Sequence, residues 1–104
     1  MNSYWREEKM MEYDYKKYNE AADMLKVLAH PIRLCIVQGL LQNGECNVTH
    51  MKNCLGAPQS TISQHLQKLK AARIIEARRN GLEIYYSIST SNEKIMELVK
   101  ALLK

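Results

Sequence analysis

Short hydrogen-bonding side chains crowd one stretch of the sequence, PQSTISQHLQKLK over residues 58–70. Three apolar residues in it, Ile62, Leu66 and Leu69, recur at i, i+4 and i+7, which predicts a helix with one face on a core. Gln can bond adenine through two atoms, and Ser or Thr can bond several bases. Outward-facing residues are therefore expected to contact DNA, although a merely solvated helix face is the alternative. These residues are Gln59, Ser60, Ser63, Gln64, Gln67 and Lys68.

Positive charge is concentrated in the same part of the chain. The net charge is +4, and residues 58–81 hold five bases against one acid, so the remaining ten bases and ten acids cancel. A local basic patch is the electrostatic feature expected of a nucleic-acid-binding protein. Arg78 and Arg79 are expected to meet phosphates or a narrow minor groove, and so to supply affinity with little sequence information.

A second group of residues could bind a metal or respond to thiol chemistry. Cys46, His50 and Cys54 stand at i, i+4 and i+8, which would place three potential ligands along one helical face. Cys46, however, precedes the expected start of the helix, and a free cysteine is often buried as a small hydrophobe. Core packing is therefore the alternative for Cys54. Cys35, on the second helix, is likewise expected to face the protein core. Three cysteines argue against a disulfide framework, and no cofactor is expected.

The elements that must position these residues are mostly helices. Helical spacing predicts a first helix over residues 15–28, and Pro31 suits the first turn of a second. Asn47 is a suitable N-cap for a third helix over residues 48–55, and a fourth is expected to run from Pro58 to about residue 72. Because only Gly-Ala-Pro separates the third helix from the fourth, residues 47–72 are predicted to form a helix-turn-helix.

A β-hairpin and a last helix are expected to follow. Residues 74–89 alternate in polarity around Asn80-Gly81, which predicts two strands joined by a type I′ turn, with the two arginines near its tip. An apolar stripe predicts a helix over residues 92–103. The expected fold class is mainly α with a β-hairpin wing, a winged helix-turn-helix in the order α1-α2-α3-α4-β1-β2-α5. It forms a single domain over residues 1–104, in which residues 1–14 are a flexible arm or the start of a helix.

Several other functions find little support in the sequence. No apolar run approaches the length of about 20 residues that a membrane span needs, and no signal peptide is visible, so a cytoplasmic protein without a membrane partner is expected. The chain has no glycine-rich phosphate loop, nucleophile elbow or paired acidic dyad, so it is not expected to be an enzyme. A winged-helix protein-interaction module that does not read DNA is a further alternative.

The motifs together resemble the ArsR/SmtB family of bacterial regulators, and most closely its PagR-type members. The resemblance covers about residues 25–88 and rests on LKVLAHPIRLCIV, LGAPQSTISQHLQKLKAARII and RRNGLEIYYSI. It implies a homodimeric repressor that binds double-stranded DNA at an inverted-repeat operator. It also adds Thr61 and His65 to the DNA-binding residues. The first and last helices would form the dimer interface, although burial within one chain is the alternative for the last helix. The interface residues would be Tyr18, Leu25, Ile95, Leu98, Val99 and Leu102.

The resemblance also bears on the signal that such a regulator senses. Many members bind a thiophilic metal through Cys-x-Cys on the third helix, but Asn47 and Thr49 occupy those two positions here. Others use Asp and His ligands on the last helix, and residues 92–104 contain neither residue type. The usual metal sites are therefore not expected, and the small-molecule or metal effector is unknown. Metal- or thiol-responsive derepression through Cys46, His50 and Cys54 stays an alternative.

Overall fold

Five helices and three strands make up the chain in the computed structural model, which describes residues 15–103. The predicted arm over residues 1–14 lies outside the described residues. The elements follow the predicted order, with one short strand added before the third helix, so the mainly α fold with a β-hairpin wing is confirmed. They are α1 (Tyr15–Leu28), α2 (Pro31–Asn43), β1 (Cys46–Asn47), α3 (Val48–Leu55), α4 (Gln59–Ala71), β2 (Ile75–Asn80), β3 (Glu83–Ile88) and α5 (Glu93–Leu102).

The junction between α1 and α2 is closed by a histidine cap. His30 is extended, with φ −152° and ψ 130°, and its Nδ1 accepts a hydrogen bond of 3.2 Å from the backbone N–H of Ile32. Pro31 occupies the first turn, where its missing N–H costs nothing. The cap and the proline together start α2 immediately after α1 ends, so the two helices bend sharply at this point.

The turn between α3 and α4 also follows from its residues. Asn47 caps α3 by accepting a hydrogen bond of 2.9 Å from the N–H of His50, as predicted. Gly56 ends α3 in the left-handed conformation, with φ 67° and ψ 20°, which glycine adopts without steric cost. The prediction that Pro58 begins α4 is wrong by one residue. Pro58 is extended (ψ 150°) and is the N-cap, so the helix starts at Gln59.

The C-terminal end of α4 forms a Schellman motif without glycine. The N–H of Arg73 bonds the carbonyl of Lys70 at 2.9 Å, and the N–H of Ile74 bonds that of Leu69 at 3.0 Å. Arg73 has φ 61°, the one positive value at a non-glycine position among the described residues. Leu69 and Ile74 are both fully buried, in keeping with the apolar pair that usually accompanies this motif. Asn92 Nδ2 donates a further hydrogen bond of 2.6 Å to the Arg73 carbonyl.

The sheet differs from the prediction in two ways. Its order is β1-β3-β2, all antiparallel, and the two-residue strand β1 was not predicted. The turn of the β2–β3 hairpin is also shifted by one residue, because Asn80 pairs with Glu83 and leaves Gly81 and Leu82 as the loop. A type I′ turn at Asn80-Gly81 would need positive φ at both residues, but only Gly81 has it (66°). The prediction of that turn is therefore wrong.

The core lies between α2, α4, the sheet and α5. Two residues of α5, Ile95 and Val99, are buried in it, which anchors the last helix to its own chain. Cys35 was expected to face the core but is exposed, because the buried residues of α2, Ile36, Val37 and Leu40, lie on another side of the helix. The buried apolar residues are Leu28, Ile36, Val37, Leu40, Met51, Ile62, Leu66, Leu69, Ile74, Ile75, Tyr86, Ile95 and Val99.

Candidate nucleic-acid interface

Helix α4 presents its polar residues on the side opposite the core. Ile62, Leu66 and Leu69 are buried, as the spacing predicts. Successive residues of an α-helix are about 100° apart, so Ser60 and Gln64 lie almost opposite this apolar stripe. Both are exposed, as are Gln67 and Lys68 beside them. The outer face of α4 therefore carries hydroxyl and amide groups free to meet a ligand.

One flank of α4 faces the wing across a groove of about 400 Å³. Gln59, Ser63 and Gln67 follow one another at intervals of four residues along this flank and line the groove. The groove's other walls, which no local sequence pattern indicated, come from the start of α3 and from the hairpin. Leu82, at the tip of the wing, is fully exposed. The residues of these other walls are Asn47, Val48, Thr49, Leu82, Glu83, Ile84 and Tyr86.

The other flank of α4 packs against the junction of α1 and α2. His65 Nδ1 accepts a hydrogen bond of 3.0 Å from Nε of Arg33, and its ring lies 4.3 Å from the ring of His30. Arg33 Nη1 also donates to the carbonyl of Val27 at 3.1 Å. Burial lowers the pKa of His65, and the nearby His30 and Arg33 lower it further. His65, half-buried, thus contacts the protein's own frame, whereas the family resemblance groups it with the DNA-binding residues.

The two wing arginines have different surroundings. Arg78 donates from Nε and Nη2 to the two carboxylate oxygens of Glu45, at 2.8 and 2.7 Å, and its guanidinium carbon lies 5.4 Å from the centre of the Tyr85 ring. The hydrogen bond from Arg78 lowers the pKa of Glu45. Among residues 15–103 this is the one ion pair. Arg79 is exposed and has no carboxylate partner within that range.

The sequence and the fold both match known regulators. The helix-turn-helix domain family matches residues 28–78. The transcriptional repressor PagR of Bacillus anthracis is 43% identical over 89 residues, which cover 86% of this chain and 87% of PagR. Its crystal structure superimposes with a TM-score of 0.75 and covers 86% of this chain and 99% of that one.

A solution structure from Mycobacterium bovis carries the family name. It is described as a homodimeric winged helix-turn-helix DNA-binding domain of a possible ArsR-family transcriptional regulator. It is 33% identical to this chain, with a TM-score of 0.74, and covers 86% of this chain and 85% of its own. The chain belongs to the ArsR/SmtB family. The crystal structure of NolR from Sinorhizobium fredii is a further relative, at 34% identity and a TM-score of 0.78, covering 98% of this chain and 93% of NolR.

The residues predicted for the dimer interface of this ArsR/SmtB chain differ in their exposure. Ile95 and Val99 are buried within the chain, so they belong to its own core and not to the surface that the resemblance implies. Tyr18, Leu25 and Leu102 are at least half exposed. Leu98 is half-buried against the core.

The predicted metal ligands are only partly brought together in this ArsR/SmtB chain. Cys54 Sγ lies 3.5 Å from His50 Nε2, one turn away on α3. Cys46 lies on β1, where its Sγ contacts the carbonyl of Asn47. Within residues 15–103, no three His, Cys, Asp or Glu side chains are grouped so as to hold a metal ion.

No single helix between residues 15 and 103 is long and apolar enough to cross a membrane; α1 and α2 meet that length and composition only as a pair bent by 92°.

Proposed function

We propose that this protein is a transcriptional repressor that binds operator DNA as a homodimer, with α4 in the major groove and the wing on the adjacent backbone. The observation that carries the proposal is the outer face of α4, where Ser60, Gln64 and Gln67 stand opposite the buried stripe. The protein's net positive charge lies in the same helix and wing. The family relationship to named repressors supports the same function.

The exposed residues form two groups, one that would contact bases and one that would contact phosphates. Ser60 and Gln64 lie in the first half of α4, the part of a recognition helix that reaches base edges. Gln64 offers a donor and an acceptor that match adenine, so it would discriminate between bases. Lys68 and Arg79 would contact phosphates, which contributes affinity that is independent of sequence. The contacts at the sides of the helix would be completed by Gln59, Thr61 and Ser63.

Dimerisation would double this readout on an inverted repeat. The exposed apolar residues of α1 and α5, such as Leu25 and Leu102, offer a surface that a second copy would cover. Two α4 helices related by a two-fold axis would enter successive major grooves, about 34 Å apart. A repressor of this kind acts by occupying the operator, so its affinity at cellular salt decides how much it represses.

The proposal can be tested by fluorescence anisotropy with DNA from the gene's own upstream region and with a shuffled DNA. Gln64→Ala should weaken operator binding by about 1–3 kcal/mol, the value for a bidentate contact. Ser60→Ala should also weaken operator binding, and both variants should bind shuffled DNA as the unaltered protein does. Arg79→Ala should weaken both and lower the salt slope by about one phosphate contact. Gln42→Ala, at an exposed position of α2, is the control. Equal affinity of the unaltered protein for operator and shuffled DNA would overturn the proposal.

A further inference from the structure

A second cavity, of about 140 Å³, lies between α2 and α3, away from the proposed DNA-binding face. Its walls are largely apolar, with Ile36, Leu40, Met51 and Leu55 among them. All three cysteines of the chain, together with His50, also line it. An apolar cavity with several thiols at its wall is suited to a small apolar molecule that reacts with sulfur.

One of these thiols has a base beside it. Cys54 Sγ is 3.5 Å from Nε2 of His50, and both residues are exposed on successive turns of α3. A Cys–His pair in hydrogen-bond reach is the arrangement that activates a thiol as a nucleophile, because the imidazole takes the thiol proton. Cys46 differs: burial raises the pKa of its thiol, and the neighbouring Cys54 raises it further. Cys35 is exposed on α2.

The size of the cavity limits the ligand. An apolar cavity of about 150 Å³ is large enough to hold benzene, so this one suits a single six-membered ring or a short unsaturated chain. The soft thiolate prefers a soft carbon electrophile. Quinones and α,β-unsaturated carbonyl compounds combine the required size, low polarity and reactivity.

We propose that Cys54 and His50 form a modification site for small apolar electrophiles of this class. His50 Nε2 takes the thiol proton, and Cys54 Sγ forms a bond to the β carbon. The carbon–carbon π pair shifts to the bond between the α carbon and the carbonyl carbon, and the carbonyl π pair moves onto oxygen to give an enolate. The enolate then takes the proton back from His50. The step is an addition, so no oxidant or reductant is consumed.

The adduct would lie within the helix-turn-helix, next to its turn. Cys54 is two residues before Gly56, whose left-handed conformation sets the turn into α4. A ring held between α2 and α3 would displace this turn and so weaken DNA binding, a consequence that rests on the proposed function. The chemical site itself is independent of DNA binding.

The test uses the full chain and p-benzoquinone at less than one equivalent, with peptide mass mapping of each cysteine over time. Cys54 should react at least about tenfold faster than Cys35, and His50→Gln should remove that preference. Gly39→Leu fills the cavity from α2, where an added Cβ meets no atom within 4 Å. It should slow the quinone but not the larger, charged 5,5′-dithiobis(2-nitrobenzoate). Gly39→Ala, a smaller change, should slow the quinone less.

Equal rates at Cys35 and Cys54, or a quinone rate unaffected by Gly39→Leu, would overturn the site.

DNA binding is then measured separately, with Cys54→Ser as the control that keeps binding but resists the quinone. The operator affinity of modified protein should fall by at least about tenfold, because the adduct displaces the turn before α4. Unchanged affinity would overturn the regulatory consequence. If even untreated protein does not bind DNA, the proposed function fails, and the mapping still decides whether the site exists.

Discussion

Arg33 donates a hydrogen bond of 3.0 Å from Nε to Nδ1 of His65, and so joins the start of α2 to the middle of α4. The bond requires an unprotonated Nδ1. Protonation of His65 would break it and place a cation beside Arg33 and the ring of His30. This contact between α2 and α4 therefore requires a neutral imidazole.

We expect the free energy of unfolding to fall when the pH is lowered below about 6.5, the ordinary pKa of histidine. The pKa of His65 is lowered in the folded chain, so the unfolded chain binds more protons in this interval. The stability due to neutral His65 is present above the unfolded pKa and is lost as the pH falls through the folded pKa. Urea unfolding at several pH values measures it. His65→Asn keeps an acceptor without titrating and should flatten the dependence; an unchanged dependence would contradict the assignment.

Replacing Glu45 should release Arg78 for phosphate contact. In Glu45→Gln the bidentate ion pair is lost, and a plot of log affinity against log salt should steepen by about 0.9, the value for one phosphate. Anisotropy titrations over a range of salt concentrations measure the slope. Glu76→Gln, an exposed charge-matched change on β2, is the control. Identical slopes for the two variants would show that Arg78 stays away from DNA.

Asn47 should stabilise the protein through its cap. Asn47→Ala removes the acceptor for the N–H of His50 and should lower the free energy of unfolding by about 0.5–2 kcal/mol. Asn47→Ser should restore most of that loss, because serine also caps helices well. Asn53→Ala, at an exposed position inside the same helix, serves for comparison and should not destabilise. Chemical denaturation distinguishes these outcomes, and a full loss in the serine variant would argue against a capping role.

The apolar residues of α1 and α5 should control association. Leu25→Glu combined with Leu102→Glu places charges on the proposed dimer surface and should shift the protein to monomer in sedimentation velocity. Leu82→Glu changes another exposed leucine, at the wing tip, and should leave association unchanged. A double variant that sediments as the unaltered protein does would place the interface elsewhere.

The helices could be located from the sequence because their signals are local. Periodic apolar residues and caps such as Asn47 and Gly56 lie within one helix and its ends. The contacts that could not be predicted join distant residues: Arg33 with His65 and Glu45 with Arg78 are 32 and 33 positions apart. No local pattern reveals such pairs, since they depend on how the helices and strands pack together.

The predictions that were wrong also depended on contacts between distant parts of the chain. Apolar residues occur on most sides of α2, so spacing alone does not decide whether Cys35 faces the core or solvent. The hairpin loop lies at Gly81-Leu82 and not at Asn80-Gly81 because strand pairing sets the register and outweighs the turn preference. The two-residue strand β1 exists only because β3 lies beside it.

The turn at Arg73 has a mechanical consequence. The backbone hydrogen bonds of the turn fix the direction in which the chain leaves α4 for β2, and the Arg73 carbonyl accepts the hydrogen bond from Asn92 at the start of α5. One peptide group thus joins α4, the wing and α5. The orientation of the wing relative to α4 and α5 is therefore set at a single position of the backbone.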